Sequence, residues 1–130
     1  MIVLDENIPD DQCQLLRSWR IRFRQIGQDL GRQGMKDEEH ILPLLHKLHG
    51  ATFVTRDLGF FDEQKRHASY ALVCMAVSQK EAATFLRRIL RHSEFNSKTK
   101  RRGMVAYVSH VGVRVWHLDA KEEETVEWAD

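Results

Sequence analysis

The sequence is short of the features that usually announce a function. Cysteine occurs twice in 130 residues, at Cys13 and Cys74. That spacing fits no metal knuckle, so the two thiols are expected as reduced core residues. The longest apolar run, Tyr70 to Val77, is far below the roughly 18 residues that span a bilayer. No basic stretch followed by an apolar core opens the chain, and a cytoplasmic location with no membrane partner is the expectation. There is no G-x-S-x-G elbow, no P-loop and no G-x-G-x-x-G, which argues against three common catalytic and nucleotide-binding frameworks. Net charge is only +1, so any contact with nucleic acid must come from local clusters of charge. No repeat or linker divides the chain, and 42% hydrophobic with 30% charged residues is ordinary for one folded domain, here residues 1–130.

What is present alternates between two periods. MIVLD reads as a strand, Pro9 to Trp19 as a helix with Pro9 in its first turn, and RIRFRQIG as a second strand. A glycine-bearing loop from Gly27 to Gly34 precedes a helix over DEEHILPLLHKLHG. Its stripe is Ile41, Leu44, Leu45 and Leu48, and Gly50 is its stop. Pro43 either kinks that helix or begins its regular part. ATFVT and YALVCMAV are further strands, the second apolar throughout, as when both faces of a sheet are covered. Ser78 and Glu81 form a capping box ahead of a helix with Ala82, Phe85, Leu86, Ile89 and Leu90 on one side. MVAYVS and VRVWHL then form a hairpin, and an acidic tail runs from about residue 119 to 130. Such alternation predicts an α/β fold, mostly parallel, with helices on both faces and a C-terminal edge hairpin.

Parallel sheets gather their functional groups where strands end at the carboxyl side. Asp5 ends the first strand and Asp57 follows the third. The helical period puts Asp37, and less centrally Glu38, on the stripe that carries Ile41 and Leu45, while Glu39 points away. Asp62, in the same loop as Asp57, can reach back to them. Each acid taken singly could be a cap or a turn residue. Taken together on one rim they would repel, and a hard divalent cation, Mg²⁺ or Mn²⁺, is the usual resolution. Such a centre suits phosphodiester hydrolysis.

The segments LDENIP, GMKDEE and FVTRDLGFF together resemble the PIN-like domain superfamily, in particular small prokaryotic PIN-like proteins. The resemblance implies a three-layer α/β/α nuclease that cleaves RNA with Mg²⁺ or Mn²⁺. It further implies action as a toxin restrained by a partner antitoxin, and assembly as a homodimer. Mapped onto this chain, the catalytic acids would be Asp5, Asp37 or Glu38, Asp57 and Asp62, with Asp5, Asp37, Asp57 and Asp62 as metal ligands. Thr55 would hold the Asp57 loop and Asn7 the turn after Asp5.

Between Lys80 and Arg102 eight basic residues face two acids. Arg87, Arg88 and Arg91 lie opposite the apolar stripe, and Lys98, Lys100, Arg101 and Arg102 follow in a loop. With Arg56, they are the candidate phosphate-binding groups, although a solvated helix face is the simpler reading. His46 and His49 are the best-spaced pair for zinc, with no third ligand at a recognisable spacing. Two other functions compete: a binding module that keeps the fold without catalysis, and a phospho-receiver, which expects a lysine after a late strand that this chain does not supply.

Overall fold

A computed structural model describes residues 1–35 and 38–129, with only the backbone of Glu38. Seven strands form one sheet. They are β1 (Ile2–Leu4), β2 (Arg24–Gln25), β3 (Ala51–Thr55), β4 (Tyr70–Met75), β5 (Val105–Val108), β6 (Gly112–Trp116) and β7 (Glu124–Glu127). Their spatial order is β2-β1-β3-β4-β5-β6-β7. The first five are parallel, and β6 and β7 are antiparallel to their neighbours. The helices are α1 (Asp10–Ser18), α2 (Glu38–Leu48), α3 (Ala82–Arg91) and the single turn α4 (Lys98–Arg101). Among the described residues no helix is long and apolar enough to cross a membrane.

Side-chain alternation divides the core in two. Leu4, Val54, Val73 and Ala106 point to one face and pack with α1 and α3 through Cys13, Leu16, Phe85, Leu86 and Ile89. Val3, Phe53, Leu72 and Cys74 point to the other and meet Ile41 and Leu45 of α2. Helices therefore cover both faces, and β4, buried on both, needs its unbroken apolar run. On α1 the buried positions are Gln12, Cys13 and Leu16, whereas Leu15 is exposed. Gln12 replaces an apolar contact with a polar one: its Oε1 accepts the Ala83 N–H at 2.9 Å and satisfies the start of α3. The capping box is present, with the Ser78 N–H donating to Glu81 Oε1 at 3.1 Å, but it opens a 3₁₀ turn over Gln79–Glu81 that leads into α3. α2 continues through Pro43.

The C-terminal segment departs most from expectation. Part of the expected acidic tail is β7, paired along β6 from Gly112 opposite Glu127 to Val115 opposite Glu124. Val126 is its buried residue, and beyond it Trp128 donates its indole N–H to the Ser109 carbonyl at 2.8 Å. Gly112 permits the pairing, because a Cβ there would collide with the Val126 carbonyl oxygen. Gly112→Ala is expected to lower the stability to urea by about 2 kcal/mol or more and to expose Trp128, read by its fluorescence. An unchanged transition would mean that β7 contributes nothing to the fold.

Candidate functional site at the carboxyl rim

The strand order reverses at β1. The chain passes from β1 outward to β2 and then returns to lay β3 on the other side of β1. At such a reversal the loops leaving the two central strands diverge and open a crevice at their carboxyl ends. Pairing of Leu4 with Val54 places Asp5 beside Thr55, and alternation turns both toward the face covered by α2. Since α2 returns the chain from the carboxyl side to the start of β3, Glu38 begins at this same rim.

Asp5 is only 7% exposed, and both its oxygens are engaged. Oδ2 accepts the Thr55 hydroxyl at 2.6 Å, and Oδ1 accepts the Glu6 N–H at 2.7 Å. Thr55 Oγ1 in turn accepts the Asp57 N–H at 2.9 Å, so one hydroxyl ties the two acids together. Asp57 is exposed. Its Oδ1 accepts the Gly59 N–H at 2.9 Å, and Oδ2 has no partner among the described residues. Burial pushes the Asp5 carboxyl above the ordinary range; the Thr55 and Glu6 hydrogen bonds oppose the shift, and the charges of Asp57 and Glu6 add to it. Beneath this pair, Cys74 is pushed up to about 12, chiefly by burial with a contribution from Asp57, so it is an inert thiol. Cys13 is also buried and free.

The expected acids fare differently. Asp5 and Asp57 come together as anticipated, and Thr55 holds the Asp57 loop. Asp62 accepts the Gln64 N–H at 2.8 Å, capping a 3₁₀ turn, and pairs with Lys65 at 3.5 Å. A short polar residue before a turn satisfies the turn's free amides, and Asp62 does so with one oxygen, as Asp57 does at Gly59. Asp37 and the side chain of Glu38 lie outside the described residues. Among the described residues no group of three His, Cys, Asp or Glu side chains is arranged to hold a metal ion.

The expected phosphate-binding groups separate as well. Arg56 stands at the carboxyl rim, its Nε donating to the Val77 carbonyl at 3.0 Å. Arg87 stacks on Trp19 with its guanidinium 3.7 Å from the ring centre, Arg88 lies 4.3 Å from that of Trp128, and Arg91 is exposed nearby. Lys98, Lys100, Arg101 and Arg102 are at the opposite, amino rim, about 15 Å away along β3. Arg101 is not a surface group. It is buried, with Nε donating to Thr52 Oγ1 at 3.1 Å and a terminal nitrogen to the Phe95 carbonyl at 2.7 Å. His46, expected with His49, meets the His67 ring, with ring centres 4.2 Å apart.

Two positioning residues were not anticipated. Gln25, at the end of β2, donates Nε2 to the carbonyls of Asp5 at 3.1 Å, Glu6 at 3.4 Å and Ile8 at 3.0 Å, and so holds the turn assigned to Asn7, whose own side chain is exposed. Glu6 accepts the Gly34 N–H through both carboxylate oxygens, at 2.9 and 3.2 Å, and anchors the loop that leads toward α2. A buried glutamine in an otherwise charged strand was the available signal for the first; the second had none, because its partner is a backbone amide.

Because the folded-state pKa of Asp5 is raised, the stability it contributes is fully present below the unfolded value near 3.9 and is lost as pH rises through the folded value. Asp5→Asn is therefore expected to melt at higher temperature than the wild type at pH 7, with the gap closing toward pH 3. A variant less stable at pH 7 would show that the ionised carboxylate is not strained. Gln25→Leu is expected to cost about 2 kcal/mol in urea unfolding by leaving the turn carbonyls unpaired.

Compared with models of known protein families, with curated proteins and with solved structures, the chain finds no match.

Proposed function

We propose that the protein is a PIN-like, metal-dependent ribonuclease whose reaction takes place at the carboxyl rim between β1 and β3. The observation that carries this reading is the Asp5–Thr55–Asp57 linkage: a buried carboxyl, held above its ordinary pKa and bound through one hydroxyl to the loop of a second, exposed acid. A fold gains no stability from placing an acid there, whereas a reactive centre uses it.

The donors suit Mg²⁺ or Mn²⁺. They are carboxylate oxygens, and the thiol nearby is buried and protonated, so no soft ligand competes. Asp5 and Asp57 would hold the cation, with Asp37 or Glu38 as the further acid. When bound, it supplies charge neutralisation at the phosphodiester and acidifies a water. The chain's own groups do the rest. Thr55 fixes Oδ2 of Asp5 and the Asp57 amide together, so the two carboxylates keep their separation. Asp57 Oδ2 is the open acceptor for a proton from the attacking water. Arg56, its Nε committed to Val77, has its terminal nitrogens left for a backbone phosphate. A partner antitoxin and a homodimer belong to this proposal through the family resemblance.

A second reading, a catalytically silent module acting through RNA or protein contacts, is favoured by one observation. Only two acids meet among the described residues, and most of the basic groups stand away from them. The two readings separate in a single assay. Mn²⁺-dependent cleavage of single-stranded RNA is expected for the wild type, with a loss of at least about a hundredfold in Asp57→Asn and Asp5→Asn. Mn²⁺ at millimolar concentration should also raise the melting temperature of the wild type but not of Asp57→Asn. RNA binding without turnover, and no metal-dependent stabilisation, would leave the binding module standing.

A further inference from the structure

At the amino rim, opposite the acids, a cleft of about 610 Å³ opens between the starts of β3 and β4 and the turn α4. Its chemistry is one-sided. His49, His67, Ser69, Lys98, Thr99 and Arg102 line it, and no carboxylate does. The Lys98 chain lies across Gly50, occupying the space a Cβ would take, and its ammonium meets no carboxylate among the described residues. Arg102 is fixed by donating Nε to the Ala68 carbonyl at 3.3 Å.

Two further observations point to a missing negative charge. The first is buried Arg101, whose partners are the neutral oxygens of Thr52 and Phe95. Buried guanidinium groups ordinarily meet a carboxylate or another anion, and Thr52, which accepts from Arg101, also lines the cleft. The second is a hydrogen-bonded chain with no carboxylate in it. The Ser69 N–H donates to His67 Nδ1 at 3.1 Å, and the Ser69 hydroxyl lies 2.7 Å from the same nitrogen and 3.1 Å from His46 Nδ1. His67 lines the cleft together with Lys98 and Arg102.

The geometry points to a binding site for a phosphate monoester of nucleotide size. Lys98, Arg102 and His67 would bind the phosphate, and the cleft, several times larger than a phosphate, would hold the organic part against the His49 and His67 rings. This site is independent of the acids at the carboxyl rim.

The test is calorimetric titration of the full chain with adenosine 5′-monophosphate, inorganic phosphate and adenosine. Saturable binding of the monophosphate is expected, about tenfold or more tighter than either half alone. The paired substitution Lys98→Met and Arg102→Gln keeps the packing over Gly50 and a donor to Ala68, and it should weaken binding by about tenfold or more at an unchanged melting temperature. Asp57→Asn should leave the binding intact, so a failed nuclease reading and a failed phosphate site are read separately. The inference is overturned by no saturable binding at roughly 10 mM, by adenosine or phosphate binding as tightly as the monophosphate, or by unaltered binding in the paired variant.

Discussion

Everything at the carboxyl rim depends on one hydroxyl. Thr55 donates to Asp5 and accepts from the Asp57 amide, so the last residue of β3 fixes both the end of β1 and the start of the following loop. It can do so because the strands are in register at Leu4 and Val54, and because a parallel ladder turns Asp5 and Thr55 to the same side. A slip of one residue would send Thr55 into the apolar core on the α1 face and leave Oδ2 of the buried Asp5 without its donor, at a cost of about 1–3 kcal/mol. Core packing of Val54 and Phe53 on opposite faces therefore sets the site as much as the site's own residues do.

Support for that hydroxyl comes from Gln25 and Glu6. Gln25 gathers three carbonyls of the β1–α1 turn, and its Oε1 lies 3.6 Å from the Cys13 thiol, which links the turn to the α1 core. Glu6 spends its carboxylate on Gly34 while its charge makes ionisation of Asp5 harder. The rim is thus held in place at the expense of electrostatic comfort.

The regular parts of the fold were legible in the sequence because each has a strong period. ATFVT matches β3, and the stripe Ala82, Phe85, Leu86 and Ile89 is the buried side of α3. Strands without that signal were harder. β2 has two residues, and β7 reads E-T-V-E, in which a single buried valine is outweighed by charge. Asp5, Asp57 and Thr55 were found because strand ends are visible in one dimension. The cap that Asp62 makes was not legible because its loop folds into a 3₁₀ turn, and Arg101 was read as a surface group because a run of cations does not disclose which member faces inward.

The two ends of the sheet are unlike its middle. β2 offers two residues of edge, and β7 carries Glu124 and Glu127 along the other. Main-chain groups on an outer strand are open to any extended peptide, but a second copy of this chain approaching through β7 would bring like charges together. The carboxylates of that strand thus act as a guard against the pairing of two β7 edges.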